Sequence, residues 1–176
     1  MRRGVLNVLL NWIKRGYTMK RFFLSLFFIL GFVAVSLASG NEPQGFNGIT
    51  WGTNVNAVSG LKFYDEDAIG TKVYVKANQF GKVSLYNAVV DQIYYIFFKG
   101  SFYSANVEMQ GKSNYLAIRD SMINMYGQPQ TLNLPKNNLI EHYWYGAKTL
   151  ITLSYNSNDF SSYLTYLYRP IAEQMK

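Results

Sequence analysis

His142 is the one imidazole in a 176-residue sequence that has no cysteine. A general base or a metal ligand at this position would need partner groups within hydrogen-bond reach. Glu141 is its neighbour in sequence, but successive strand residues point to opposite faces. If this segment is extended the two do not meet, and His142 reads as a strand residue half exposed among aromatics. The absent thiols remove disulfides, thiolate metal sites and a cysteine nucleophile. A single histidine removes any site that needs two imidazoles.

Other residue types offer less. Asp65, Glu66 and Asp67 are adjacent carboxylates that could give oxygens to Ca²⁺. A calcium loop spaces several ligands around a turn-making glycine, and no such series surrounds these three, so they read as a solvated acidic turn. The serines lie in no Gly-x-Ser-x-Gly, and the glycines form neither a dinucleotide fingerprint nor a phosphate loop. A carboxylate pair for glycoside cleavage can be drawn from any set of ten acids, but nothing singles out two of these. No catalytic residue, cofactor or metal is nominated. A hydrolase acting on an envelope polymer is the alternative to a non-enzymatic reading.

The tyrosines are the distinctive chemistry. Residues 39–176 keep 14 of the 15 tyrosines, 7 of the 12 phenylalanines and two of the three tryptophans. Tyr94, Tyr103, Tyr143, Tyr145, Tyr155 and Tyr166 fall in segments of strand character, with Tyr163 and Tyr168 beside them. Tyrosine gives a large rigid contact with a polar tip, which suits recognition of a protein or a sugar ring. These six are therefore the candidate binding face. The competing reading is a small domain without disulfides that fills its core and sheet edges with tyrosine.

The net charge of +7 and the sequence pI of about 9.5 suggest an anionic partner until the charges are located. Six of the 17 basic residues precede Ala38, with no acid among them. The remaining 11 basic residues face 10 acids, so residues 39–176 carry +1. Phosphate-backbone binding needs clustered Lys or Arg, which excludes nucleic acid as a partner. Lys20-Arg21, the uncharged run Phe22–Ala38 and the small residues Ser36 and Ala38 form a secretory signal peptide with a cut after Ala38. The alternative is an uncleaved anchor, since spanning a membrane takes ~20 apolar residues. Met19 starts a complete signal by itself, which makes residues 1–18 an upstream extension. The expected organisation is then 1–18 extension, 19–38 signal or anchor, and 39–176 one domain. The expected location is periplasmic or secreted, or the inner membrane if 22–38 is retained.

The elements that must position these residues follow from pattern. Thr53 can cap a short helix over 54–59 that Gly60 stops. Lys72–Lys76 alternates as a half-buried strand does. Ile93–Phe98 and Phe102–Met109 form the strongest hairpin, with Tyr103, Ala105, Val107 and Met109 on one face. Ser113 caps a helix over 113–126, which Gly127 and Pro129 end. An Asn- and Pro-rich loop runs to Asn138. Ile140–Tyr145 and Thr149–Tyr155 make a second hairpin, and Tyr163–Tyr168 is a last strand stopped by Pro170. Hairpins on either side of one helix predict an α+β fold. Five to seven antiparallel strands should pack against the 113–126 helix.

Phe46-x-Gly48-Ile49-x-Trp51-Gly52-Thr53, Tyr126-Gly127-x-Pro129 and Tyr143-Trp144-x-Gly146 resemble the corresponding runs of a group of small exported proteins of Gram-negative bacteria. The resemblance spans roughly Phe46 to Pro170. It implies an exported α+β domain and no particular reaction. Together these readings predict an envelope accessory or binding protein.

Overall fold

The computed structural model describes residues 42–77, 79 and 83–175. The extension 1–18, the segment 19–38 and its expected cleavage site lie outside them. The elements in chain order are a small hairpin of β1 (Gly45–Phe46) and β2 (Ile49–Thr50), a 3-10 turn (Val55–Ala57), β3 (Leu61–Glu66), β4 (Thr71–Lys76), a second small hairpin of β5 (Val83–Leu85) and β6 (Ala88–Val90), then β7 (Gln92–Phe98) and β8 (Ser101–Gln110). The long helix (Lys112–Tyr126) follows, then β9 (Gln130–Leu134), β10 (Leu139–Tyr145), β11 (Thr149–Asn156), β12 (Ser161–Tyr168) and a C-terminal helical turn (Arg169–Ala172).

The fold is α+β and mainly antiparallel, but the sheet is larger than five to seven strands. Eight strands form one sheet in the order β3-β4-β7-β8-β12-β11-β10-β9, and two small hairpins lie outside it. The order joins two meanders. The strands before the helix make one half, those after it make the other, and β8 pairs with β12 at the centre.

Face assignment follows from the pleat. In β11 every second residue is buried, from Thr149 to Tyr155, as expected when one face is sealed and the other reaches water. The sealed side carries Ile93, Tyr95, Phe102, Val107, Trp144, Ile151, Leu153 and Leu164, all at most 1% exposed. The long helix closes over them with Tyr115, Ile118 and Met122. Burying each such side chain contributes about 1.5–3 kcal/mol before entropy is counted.

Several boundaries differ from the sequence expectation. The 54–59 helix is a single 3-10 turn, and Asn54 rather than Thr53 caps it by accepting from the Asn56 N–H. The long helix starts at Lys112 with Gly111 before it, at φ 92°, and Ser113 makes no cap. Gly127 does end the helix with positive φ, and its N–H returns to the Ile123 carbonyl at 2.8 Å. Pro170 opens the C-terminal helical turn instead of simply stopping β12, because proline needs no N–H in a first turn. Asp65 and Glu66 belong to β3, and Asp67 alone makes the turn by accepting from the Ile69 and Thr71 N–H groups. The alternation in β8 is broken by a register shift. Ile96 pairs Ser104 while Phe97 pairs Phe102, which leaves Tyr103 as the extra residue of a bulge. Phe102, not Tyr103, therefore joins Ala105, Val107 and Met109 in the main core.

Candidate functional site: the far face of the sheet

The six candidate tyrosines do not share one face. Tyr155 and Tyr166 lie on the helix side, 4% and 1% exposed, as core residues. Tyr155 stacks on Tyr115 with centroids 4.5 Å apart, and the Tyr166 hydroxyl reaches Tyr86 at 3.3 Å. Tyr94, Tyr103, Tyr143 and Tyr145 lie on the opposite, far face. Tyr94, Tyr103 and Tyr143 are there 8%, 5% and 5% exposed, and Tyr145 is half-buried. These rings lie down against their neighbours instead of standing as a platform. Tyr143 stacks on Tyr145 at 6.0 Å, and Tyr94 meets Tyr64 edge-on at 5.2 Å.

Register assembles the far face into rows. Gln92, Glu108, Tyr163, Ser154, Glu141 and Leu132 are successive partners across six strands. Tyr94, Asn106, Thr165, Thr152, Tyr143 and Gln130 form the next row. The third row, from Ile96 through Ser104 and Leu167 to Leu150 and Tyr145, is apolar by comparison. Its near end is covered by Ile171, Ala172 and Met175 of the C-terminal segment. Apart from Leu132 at the edge, the first two rows are tyrosine, amide, hydroxyl and carboxylate, and their small members Asn106, Thr152, Ser154 and Thr165 are all half-buried.

Two tyrosine–glutamate pairs mark this face. The Tyr94 hydroxyl donates to Glu108 at 3.4 Å, and the Tyr143 hydroxyl donates to Glu141 at 2.7 Å. Burial raises the Glu108 carboxyl above its ordinary value, and the charge of Asp91 adds to the rise. Burial, then the hydrogen bond to Glu141 and that carboxylate's charge, push the Tyr143 phenol far up, so it stays a donor at any physiological pH. Neither glutamate has an ion-pair partner among the described residues, where the salt bridges are Lys72–Glu66 and Arg119–Asp120. Asn106 Oδ1 is buried between these pairs with no partner.

His142 is on the other side of the sheet from Glu141, as strand alternation requires, but it is not half exposed. It is 6% exposed, with Nε2 2.7 Å from the Tyr115 hydroxyl and Nδ1 2.8 Å from the Thr131 hydroxyl. Thr131 is its cross-strand partner in β9, so the edge strand supplies half of the setting. Burial lowers the imidazole pKa, and nearby Arg119 lowers it further. No carboxylate touches the ring, and among the described residues no group of three or more histidines and acids is placed to hold a metal ion.

A separate polar cluster ties the start of the domain to the sheet. Glu42 Oε1 accepts from the Lys148 N–H, the Thr149 N–H and the Thr149 hydroxyl, at 2.5, 2.7 and 3.0 Å. Arg169 donates to the carbonyls of Gly146 and Ala147 in the same hairpin loop. Burial opposes the charge on Glu42, but these donors and Arg169 outweigh it and hold the carboxyl below its ordinary value. No known family profile matches the chain, and no curated protein or solved structure matches it.

Proposed function

We propose that this chain is an exported, non-enzymatic binding or accessory module of the cell envelope that recognises a partner protein through the far face of its sheet. The observation that supports it is the contrast between the two faces. One face is closed by the long helix over side chains with almost no exposure. The other holds two rows of tyrosine, threonine, amide and carboxylate that water still reaches. A sheet face with polar, half-buried rows exceeds what a fold needs for its own stability, and amphipathic tyrosine suits recognition. The export assignment rests on the residues Lys20–Ala38. No helix among the described residues is long and apolar enough to cross a membrane.

The hydrolase alternative finds less support. Glu108 and Glu141 are the two carboxylates the rows bring onto one face, three strand spacings apart. That separates their backbones by about 14 Å, whereas glycoside cleavage uses carboxyl groups ~5–9.5 Å apart.

The test is recovery of partners from an envelope extract. Thr165→Arg puts a bulky charge in the centre of the far face, and Asn124→Arg does the same on the exposed side of the long helix. Loss of partner recovery with Thr165→Arg and normal recovery with Asn124→Arg is the expected result. Unchanged recovery in a folded Thr165→Arg protein would remove the far face from consideration.

A further inference from the structure

The far face also indicates the charge of what it receives. Across the six strands from β7 to β9, its two polar rows contain two charged side chains, Glu108 and Glu141, and no Lys or Arg; Lys62, which lies on this face beside Val75, is on the edge strand β3 beyond them. Each glutamate accepts from one tyrosine, which holds the carboxylate in place without neutralising it. Asp91, whose charge reaches Glu108, extends the same sign to the end of the row. Nucleic acid and anionic lipid surfaces are repelled by this arrangement. A sugar would need open aromatic faces to stack on, and Tyr94 and Tyr143 are 8% and 5% exposed.

We propose that the far face receives an extended basic segment of a partner protein, laid across the strands so that two arginine or lysine side chains four residues apart reach Glu108 and Glu141. This rests on reading the far face as the binding surface. The spacing sets the geometry. The two glutamates share a row and lie three strands apart, about 14 Å at ~4.8 Å per strand. An extended chain rises ~3.3 Å per residue and alternates its side chains, so positions i and i+4 point the same way about 13 Å apart. A guanidinium matches a carboxylate through paired N–H donors, and each glutamate keeps an oxygen beyond the one its tyrosine occupies. The partner residues between the two cations would cross Tyr163 and Ser154, with Asn106 and Thr152 in the next row within reach of its backbone.

A nine-residue Thr/Val peptide with arginine at its third and seventh positions is the probe, titrated against the full protein at low and at raised ionic strength. Salt-sensitive binding is expected, weakened about tenfold or more when Glu108→Gln and Glu141→Gln are combined. The reversed protein, Glu108→Lys with Glu141→Lys, should lose the arginine peptide and gain a matching glutamate peptide. Failure of the native protein to bind the arginine peptide, or equal binding by a folded double glutamine variant, would overturn the proposal. The two levels separate in the envelope extract. If Thr165→Arg abolishes partner recovery and the double glutamine variant does not, the far face remains the surface and its occupant is not cationic. If neither changes recovery, both readings fall.

Discussion

At the scale of single residues, two ionisable groups make opposite demands on pH. His142 is held below its ordinary value by burial and by Arg119. As pH falls through about 6.5, the unfolded chain takes a proton that the folded one resists, so folding stability drains away with acid. A thermal denaturation series between about pH 7.5 and 5.5 should show a falling Tm in the native protein and a flatter line in His142→Gln. Glu108 works the other way. Its carboxyl is raised in the folded state, so ionising it near neutral pH costs stability that protonation restores in acid. Glu108→Gln should therefore raise Tm at neutral pH, since burial and Asp91 outweigh the Tyr94 hydrogen bond that favours the charged form. A lower Tm would mean that the carboxylate serves the fold instead of costing it. Trp144 is a purely structural residue by contrast. It is 1% exposed, and its indole N–H donates to the Gly127 carbonyl at 2.8 Å, which pins the end of the long helix to β10. Trp144→Ala should cost about 3–5 kcal/mol in denaturant unfolding.

At the scale of elements, the Glu42 cluster acts as a latch on the β10–β11 hairpin. Removing the carboxylate in Glu42→Ala leaves two backbone N–H groups without an acceptor. Hydrogen exchange at Lys148 and Thr149 should speed up, with a stability loss of about 1 kcal/mol. Because the Glu42 pKa is lowered, this contribution is present at neutral pH and disappears as pH falls below the ordinary carboxylate range. Elements with strong periodicity were legible in the sequence: the long helix, the β7–β8 hairpin and the β10–β11 hairpin all stand where pattern placed them. Within the eight-stranded sheet, the two strands that pattern missed, β3 and β9, are its two edges. An edge strand is wet on more than one side, and β9 buries none of its five residues; its alternation is only Leu132 and Leu134, too short to stand out between Pro129 and Pro135. The candidate tyrosines failed for a related reason. Strand propensity put them in strands, but a bulge at Tyr103 and the parity of Tyr155 and Tyr166 decided their faces. Glu108 and Glu141 became visible as a pair only once register joined four strands that are separated in sequence.

At the scale of the whole molecule, the middle of the sheet is made by β8 and β12, the closing strands of the two halves. Leu164, Tyr166 and Ser162 of β12 are at most 1% exposed, and they lie against Met109, Val107 and Ala105 of β8. Deleting the chain from Ser161 onward should therefore not trim an edge. It should divide the sheet into a four-stranded and a three-stranded piece, with β8 and β11 left as bared edges, and abolish cooperative unfolding. A truncated protein that still melted in one sharp transition would show that one half stands alone. The same arrangement bears on timing. The pairing that joins the halves cannot form until the last strand of the domain has emerged, and contacts between such distant segments form slowly. During that delay the two halves are separate, and a pull on either end is resisted by one meander and not by the finished seam.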